Sequence, residues 1–425
     1  MIKQTTGFLI FFLFIFSAPS FAQRELRDYL DQADFFRLRD ELAKHGSTID
    51  ADARLYFTAF VDNAFNRNEL SIRRVDSFMA LKKDDWYPKE IANLLQVQRD
   101  NYCKTYRYKD AAALGDVLLQ HYNHVLDPVI IGDVANTNKI WGSLANVPPQ
   151  RVEIHSDIQL PIKKDAASLW TLPVSSGNWQ DDFIFDTGAN ISTVTSSVAD
   201  KMKLRRFSTH FDVHGFQGTV VTTSLGIADS LNIGNMVLHN VVFMIMPDDA
   251  LTFSKIQYTI HGIIGFPVIS ALKEVHIYRK GTLEIPANET ALPFTESNLA
   301  IHGLFPMVQM GTDKGVYNFH FDTGAKITDL FDTYYVLHSN YIQRKGKRKV
   351  TEFESAGGKR SMEAYQLKKF KFYIGDKTAT LPTVTILTKP IRSGSEMVYG
   401  NIGQDVMEQF DEMILNFDKM YVTFN

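Results

Sequence analysis

The sequence predicts a multidomain protein in which an all-α helix-hairpin domain precedes an all-β region made of two copies of one lobe. Three observations lead to this prediction. The chain has 425 residues, which is more than one ordinary domain holds. Apolar residues recur at helical spacing from about residue 23 to 125, whereas short β-branched runs separated by Gly, Asn and Asp follow Pro148-Pro149. The β region also repeats several landmarks in order, which indicates an internal duplication.

Residues 1–22 are predicted to be a secretory signal peptide. Lys3 precedes an apolar run at residues 8–16, and Ser20-Phe21-Ala22 places small residues at the two positions that a signal peptidase reads. Cleavage before Gln23 would give a periplasmic or secreted protein. The run is too short to span a bilayer comfortably, and no later stretch approaches the roughly 20 apolar residues that a spanning helix needs. We therefore expect no integral membrane segment in the mature chain.

Residues 23–126 are predicted to form a helical domain in which the helices come in antiparallel pairs. The apolar spacing pairs residues 51–65 with 70–81, and residues 89–106 with 109–122. This pattern loosely resembles tetratricopeptide-type repeats, which implies a surface for a protein partner. A linker is predicted over residues 127–150, because the helical spacing of apolar residues ends near Asp127-Pro128 and a Pro-Pro pair follows.

The β region is predicted to consist of two lobes, residues 151–292 and 293–425. Three landmarks occur once in each lobe, in the same order and at nearly the same spacing. In the first lobe they are Phe185-Asp186-Thr187-Gly188-Ala189, Gly262-Ile263-Ile264-Gly265 and an alternating apolar strand pair at 275–285. In the second lobe they are Phe321-Asp322-Thr323-Gly324-Ala325, Gly400-Asn401-Ile402-Gly403 and a strand pair at 413–424. A single Asp-Thr-Gly would be an ordinary turn, but two copies in register indicate a site.

The repeated Asp-Thr-Gly-Ala string resembles that of the aspartic proteases, and more closely that of their retropepsin-like branch. The resemblance covers about residues 151–425 and implies an all-β bilobal aspartic protease fold with two retropepsin-like lobes. It implies that Asp186 and Asp322 are the catalytic pair. In that family the following Thr braces the two loops across the lobe interface, and the Gly permits a tight turn. The corresponding positions here are Thr187, Gly188, Thr323 and Gly324.

The resemblance also implies which residues contact substrate. Asn190 and Lys326 directly follow the two motifs, and their difference predicts an asymmetric cleft. Two Gly-rich hairpin tips would close over an extended peptide as flaps. The predicted substrate-binding residues are Ala189, Asn190, Ala325, Lys326, Gly215, Phe216, Gly218, Gly357 and Gly358. The second landmark resembles the family's apolar-apolar-Gly element, except that Asn401 is polar.

The chemistry of this family explains why two carboxylates are needed. Two carboxylates held about 3 Å apart cannot both ionise, so the pair shares one proton. One member then activates a water while the other polarises the scissile carbonyl, with no metal, cofactor or covalent intermediate. The shared proton belongs to the pair, which leaves open which aspartate is the base. Because both aspartates lie in one chain, we expect a monomer that acts on a peptide or protein substrate at acidic pH.

Composition argues against other classes of function. The chain has 45 Lys and Arg against 48 Asp and Glu, so no basic surplus favours a nucleic acid partner. Cys103 is the single cysteine, which excludes an intramolecular disulfide and a cysteine-based metal site. The 12 histidines lack the two-His spacing of a zinc protease helix, and no Gly-x-Ser-x-Gly elbow is present.

Three alternatives stay open at this point. The β region could bind peptides without cleaving them, since a closed cleft would leave both motifs intact. The helical region could be a removable prosegment that keeps an enzyme inactive. The protein could also act chiefly as an interaction scaffold through its helices.

Overall fold

The computed structural model describes residues 21–82, 86–214, 220–253, 256–290, 297–355, 358–390 and 398–425. Helices fill the first third of these residues, and strands with four further helices fill the remainder. The predicted order of a helical part followed by a β-rich part is confirmed. No helix in the described segments is long and apolar enough to cross a membrane.

The N-terminal helices end later than the sequence predicts, at residue 143. They are α1 Phe21–Asp31, α2 Phe35–His45, α3 Ala51–Ala64, α4 Asn68–Leu81, α5 Pro88–Lys104, α6 Tyr108–His121 and α7 Pro128–Ser143. Helix α3 packs on α4 and α5 packs on α6, so both predicted helix pairs are present. Local sequence fixes the starts, since Asp34 accepts a hydrogen bond from the Arg37 amide at 3.2 Å and Pro88 begins α5. The resemblance to tetratricopeptide repeats stays a prediction.

Helix α7 corrects the linker predicted over residues 127–150. Asp127 is its N-cap, because the Asp127 carboxylate accepts a hydrogen bond from the Val129 amide at 2.8 Å. Pro128 takes the first helical position, where its missing N–H costs nothing. An Asp-Pro pair is compatible with a turn and with a helix start, and the apolar residues Val134, Ile140 and Trp141 decide for the helix because they are buried.

The β-rich part follows directly. Its described strands are β1 Arg151–Glu153, β2 Ile158–Pro161, β3 Lys163–Lys164, β4 Trp170–Ser176, β5 Trp179–Phe185, β6 Ser192–Thr195, β7 Arg205–His214, β8 Val220–Ile233, β9 Met236–Met246, β10 Thr252–Phe253, β11 Tyr258–Thr259, β12 Gly262–Ile264, β13 Glu274–Tyr278, β14 Thr282–Ile285, β15 Leu299–His302, β16 Phe305–Thr312, β17 Gly315–Phe321, β18 Asp329–Leu330, β19 Lys347–Ser355, β20 Gly358–Ile374, β21 Lys377–Leu387, β22 Gly400–Ile402, β23 Glu412–Asn416 and β24 Tyr421–Phe424. The helices among these strands are α8 Ser196–Lys201, α9 Phe266–Ala271, α10 Asp332–Lys345 and α11 Gln404–Met407.

Two sheets carry the repeated landmarks. The first runs β1-β9-β6-β12-β5-β4-β8-β7 and closes into a barrel because β8 also pairs with β9. The second runs β15-β16-β17-β22-β18-β21-β20-β19 and closes through a β16–β20 pairing. Around the two motifs the pairings match: β5 is parallel to β12, as β17 is to β22, and β12 is antiparallel to β6, as β22 is to β18. The repeat in sequence is therefore matched by a repeat in strand pairing.

A third sheet joins strands from before and after the midpoint of the β region. Its order is β2-β14-β13-β23-β24, so the alternating strand pairs predicted at 275–285 and 413–424 meet at the antiparallel β13–β23 pairing. His276 lies in this sheet, with its ring nitrogens 2.7 Å from Glu274 Oε1 and 2.8 Å from Glu412 Oε1. Although burial opposes it, these two hydrogen bonds raise the pKa of His276 above its usual value.

The helical part packs directly on the β-rich part. Asn136 of α7 donates to the Asp212 carbonyl at 2.7 Å and accepts from the Asp212 amide at 3.2 Å. Its side-chain amide thereby acts like a strand partner for β7, which is an edge strand of the first sheet. Gln150 donates to the Tyr106 hydroxyl and to the Pro267 carbonyl, both at 3.1 Å. These contacts tie α5–α7 to the sheet that carries the first motif.

Candidate active site

The two Asp-Thr-Gly motifs begin where parallel strands end. Asp186 follows β5, and its amide donates to the Ile264 carbonyl of β12 at 3.0 Å. Asp322 follows β17, and its amide donates to the Ile402 carbonyl of β22 at 3.1 Å. Each motif is therefore attached to the apolar-apolar-Gly element of its own sheet. Strand geometry places both aspartates at strand ends, which leaves their carboxyl groups free to face each other.

The two threonines exchange hydrogen bonds between the motifs. Thr187 Oγ1 donates to the Phe321 carbonyl at 2.7 Å and accepts from the Thr323 amide at 3.0 Å. Thr323 Oγ1 donates to the Phe185 carbonyl at 2.7 Å and accepts from the Thr187 amide at 3.0 Å. Both threonines are 0% exposed, so these bonds form away from water. Four hydrogen bonds at matching distances hold the two loops in a near-symmetric arrangement.

The glycines let each carboxyl group sit against the opposite loop. A methyl group added at Gly188 would lie 2.6 Å from Oδ1 of Asp322, and one added at Gly324 would lie 2.2 Å from Cγ of Asp186. Both distances are shorter than van der Waals contact. Glycine is needed at these two positions because the opposite aspartate occupies the space of a side chain.

Each carboxyl group lies against the opposite motif, close enough for the two groups to affect each other's ionisation. The amide of Gly188 donates to Asp186 Oδ1 at 2.8 Å, and the amide of Gly324 donates to Asp322 Oδ1 at 2.9 Å. Burial, followed by the negative charge of Asp322, raises the pKa of Asp186 well above its usual value. Burial also raises the pKa of Asp322, while a hydrogen bond from Asn401 works against that rise. The pair can therefore hold one proton between two carboxyl groups.

Asn401 is the contact that sequence reasoning missed. It stands at the first position of the apolar-apolar-Gly element, where its amide nitrogen lies 2.9 Å from Asp322 Oδ2. Asp329 lies opposite Asn401 on the neighbouring strand β18. Burial, and then the charge of Asp405, raises the pKa of Asp329 to about 7. A polar residue at a position expected to be apolar was the available clue to both contacts.

Two side-chain hydroxyl groups bind the backbone of the apolar-apolar-Gly elements. Ser192 Oγ accepts from the Gly265 amide at 3.0 Å, and Thr328 Oγ1 accepts from the Gly403 amide at 2.9 Å. Both residues come six positions after an aspartate, so the repeat extends further than the five-residue string. Gln404 adds a bond on one side only, since its Nε2 donates to the Thr323 carbonyl at 2.6 Å.

The predicted substrate-binding residues fall into four groups. The carbonyls of Ala189 and Ala325 accept from the amides of Phe266 and Gln404, both at 2.8 Å, so their backbones support the loops. Asn190 is half-buried and Lys326 is exposed. Gly358 begins β20 opposite Ser355. The remaining four, Gly215, Phe216, Gly218 and Gly357, lie outside the described residues.

The surroundings of the two motifs differ beyond these positions. Oδ1 of Asn190 is buried without a hydrogen-bond partner. Ile191 is 8% exposed, whereas the corresponding Ile327 is 57% exposed. In the described part of the chain, no group of three or more His, Cys, Asp or Glu side chains is arranged to hold a metal ion.

Comparison with known families gives one finding. A family model described as aspartyl protease matches residues 174–268, from strand β4 into helix α9. The match contains the first motif and the first apolar-apolar-Gly element, and it supports an aspartyl protease family and an aspartic protease function in general. No curated protein matches the chain.

Proposed function

We propose that the protein is a two-lobed aspartic endopeptidase that forms its active site within one chain. The observation that carries this proposal is the reciprocal threonine exchange, which holds the loops that carry Asp186 and Asp322 against each other. Two matching closed sheets and their shared third sheet support a bilobal, monomeric arrangement. The family match over residues 174–268 supports the same class of activity.

The proposed reaction is hydrolysis of a peptide bond by a water held between the two carboxyl groups. The ionised aspartate takes a proton from the water as its oxygen bonds to the carbonyl carbon, and the protonated aspartate gives its proton to the carbonyl oxygen. In the second half, the aspartate that gained a proton protonates the leaving nitrogen. The other aspartate takes a proton from the diol as the C–N bond breaks. Both carboxyl groups end as they began, so one water is consumed per bond.

We expect the substrate to be an extended peptide in an asymmetric cleft. Asn190 Oδ1 lacks a partner and can accept a hydrogen bond from a substrate N–H. On the other side, Lys326 and Ile327 are exposed and offer a cation beside an apolar surface. Strand β7 pairs with β8 and strand β19 pairs with β20, so each predicted flap tip connects two antiparallel strands.

The helical part is proposed to be a permanent domain. The double hydrogen bond between Asn136 and the Asp212 backbone, together with Asn66 Nδ2 donating to the Phe417 carbonyl at 2.9 Å, ties it to the β-rich part. We further propose export to the periplasm or outside the cell after cleavage at Gln23. N-terminal sequencing of the mature protein tests both ideas. A start near residue 23 supports them, a start near residue 146 indicates a removable prosegment, and an uncleaved start contradicts export.

The activity is tested with a diverse peptide library between pH 3 and pH 8. We expect cleavage at acidic pH, and its loss in Asp186→Asn and Asp322→Asn. Asp182→Asn is the matched control, because Asp182 lies on strand β5, which leads into Asp186, but is exposed. It should cleave like the wild type. Binding of library peptides without cleavage at any pH would indicate a peptide-binding protein. Activity that rises steadily to pH 9 would contradict the shared-proton mechanism.

A further inference from the structure

The environment of the aspartate pair is less symmetric than the pair itself. Both Oδ1 atoms accept a hydrogen bond from a glycine amide at nearly the same distance, 2.8 Å for Asp186 and 2.9 Å for Asp322. Within the described residues, only Asp322 of the pair also accepts a hydrogen bond from a side-chain amide, that of Asn401, at Oδ2. The residue that corresponds to Asn401 in the first sheet is Ile263, whose side chain has no donor.

The backbone places Asn401 and Ile263 in equivalent positions. Asn401 is in register with His320 of β17 and with Asp329 of β18. Ile263 is in register with Ile184 of β5 and with Thr193 of β6 in the same pattern of parallel and antiparallel pairing. Because corresponding strand positions point to corresponding faces, the two side chains approach their aspartates from equivalent places. The difference is therefore one of side-chain chemistry and not of backbone placement.

An amide N–H that donates to a carboxyl oxygen stabilises the ionised form of that group. A second donor on one member of a pair that shares one proton should consequently move the negative charge toward that member. The Asn401 hydrogen bond lowers the pKa of Asp322, whereas the charge of Asp322 raises that of Asp186 further.

We propose that Asn401 breaks the symmetry of the pair and holds the single negative charge on Asp322, which leaves the shared proton on Asp186. This inference rests on the proposed function for its catalytic meaning. Asp322 is then the base that takes the proton from water, and Asp186 is the acid that protonates the carbonyl oxygen. Asn401 acts through Asp322 and is a positioning residue.

Other titratable groups lie near this contact and must be separated from it. His320 and Asp329 flank Asn401 on the neighbouring strands. Asp405 raises the pKa of Asp329 and Lys349 lowers it, while Lys326 follows the second motif directly. None of these lies between Asn401 and Asp322. Asp329→Asn removes the nearest neighbouring acid and should leave the order of ionisation within the pair unchanged.

The test is carbon-13 NMR of aspartate carboxyl groups in the full mature chain, with the pair assigned by Asp186→Asn and Asp322→Asn. In the wild type, Asp322 should ionise at lower pH than Asp186. Asn401→Leu keeps the approximate shape but removes the donor, and should move the first ionisation of the pair up by about one pH unit. The exchange Asn401→Leu with Ile263→Asn should make Asp186 ionise first.

Kinetics supply a second readout that a purely structural role would not move. The acidic limb of the kcat/KM profile should shift upward by about one pH unit in Asn401→Leu. Asp186→Asn should keep about tenfold more residual activity than Asp322→Asn, because an amide can still donate to the carbonyl oxygen but cannot act as a base. In the Asn401→Leu background this difference should shrink.

The outcomes separate this inference from the proposed function. Asp186 ionising first in the wild type, or unchanged titrations in Asn401→Leu, would overturn the role of Asn401 even if peptides are cleaved. A protein that cleaves nothing but shows Asp322 ionising first would contradict the proposed function and keep the inference. If Asn401→Leu does not fold, Ile263→Asn alone decides, since it should bring the two ionisations closer together, and a wider separation would overturn the proposal.

Discussion

Replacing Thr187 with valine tests whether the threonine exchange holds the site together. Valine has nearly the shape of threonine, so the change opens no cavity and removes only the hydroxyl group. The Phe321 carbonyl loses its donor and the Thr323 amide loses its acceptor. Each buried group left without a partner costs about 1–3 kcal/mol, so the expected loss of unfolding free energy is about 2–6 kcal/mol. That is a large part of the roughly 5–15 kcal/mol typical of a folded protein.

Activity should fall together with stability, because the same bonds set the distance between the carboxyl groups. A displacement of about 1 Å can cost on the order of 100-fold in rate, so we expect at least that loss in kcat/KM. Urea unfolding followed by fluorescence and cleavage of a fixed peptide are the two measurements. Thr193→Val is the matched control: Thr193 is also buried, but its hydroxyl makes one local bond to the Ile191 carbonyl at 3.2 Å, and the expected loss is about 1 kcal/mol.

A second comparison separates the hydroxyl group from the methyl group. Thr187→Ser keeps both hydrogen bonds and removes one methyl group, so it should lose about 1 kcal/mol of stability and most of its activity should remain. The reasoning is refuted if Thr187→Val stays within 1 kcal/mol of the wild type and cleaves at the wild-type rate.

Three further predictions concern pH and packing. Asp329→Asn should gain stability over the wild type as pH rises from about 4 to about 7, because a carboxyl with a folded pKa of about 7 ionises more easily when unfolded. The gain in unfolding free energy has an upper bound of about 4 kcal/mol before discounting for solvent screening. A difference between the two proteins in urea unfolding that does not vary with pH would contradict this prediction. His276→Gln should lower the unfolding free energy most below about pH 6.5, where the histidine is charged in both the folded and the unfolded state. This loss should disappear as pH rises through the raised pKa of His276 in the folded protein. A larger loss of unfolding free energy at pH 9 than at pH 5 would count against the prediction. Gly324→Ala should abolish peptide cleavage because its methyl group would lie 2.2 Å from Cγ of Asp186. Gly132→Ala is the control and should cleave normally, since a methyl group there would meet nothing within 4 Å. An active Gly324→Ala protein would show that the loops tolerate displacement.

The sequence predicts well those elements in which the burial of one face sets the spacing of apolar residues. Helices α3 to α6 were predictable because buried residues recur at helical spacing within each helix, as Ala53, Phe57 and Phe60 do in α3. The two motifs were predictable because the same string occurs twice in register with other landmarks. Helix α7 was missed because Asp-Pro begins a turn as readily as a helix. The burial of Val134, Ile140 and Trp141, as α7 packs on α6 and β7, distinguishes the two.

The contacts that sequence does not predict are those between residues far apart in the chain. Asn401 and Asp322 are 79 positions apart, and nothing in the spacing says which way the asparagine points. From the sequence alone, Asp329 would be expected to be a solvent-exposed acid after the second motif. In the fold it lies on β18 between strands β21 and β22, opposite Asn401. Both cases depend on strand register, which is set by the whole sheet and not by local composition.

The third sheet has a consequence for how the chain folds. Strand β13 pairs with β14 at once, but its other partner, β23, contains Glu412, which lies 136 positions after His276. A chain that emerges at about 5–20 residues per second leaves that side of β13 open for about 7–30 s. An open strand edge can recruit another chain, and charged side chains discourage such pairing. Glu274 and His276 lie on strand β13 and are buried in the folded protein. During synthesis their polar side chains can protect the open edge of β13 from pairing with another chain. After β23 pairs, both side chains become part of the hydrogen-bonded centre of the sheet.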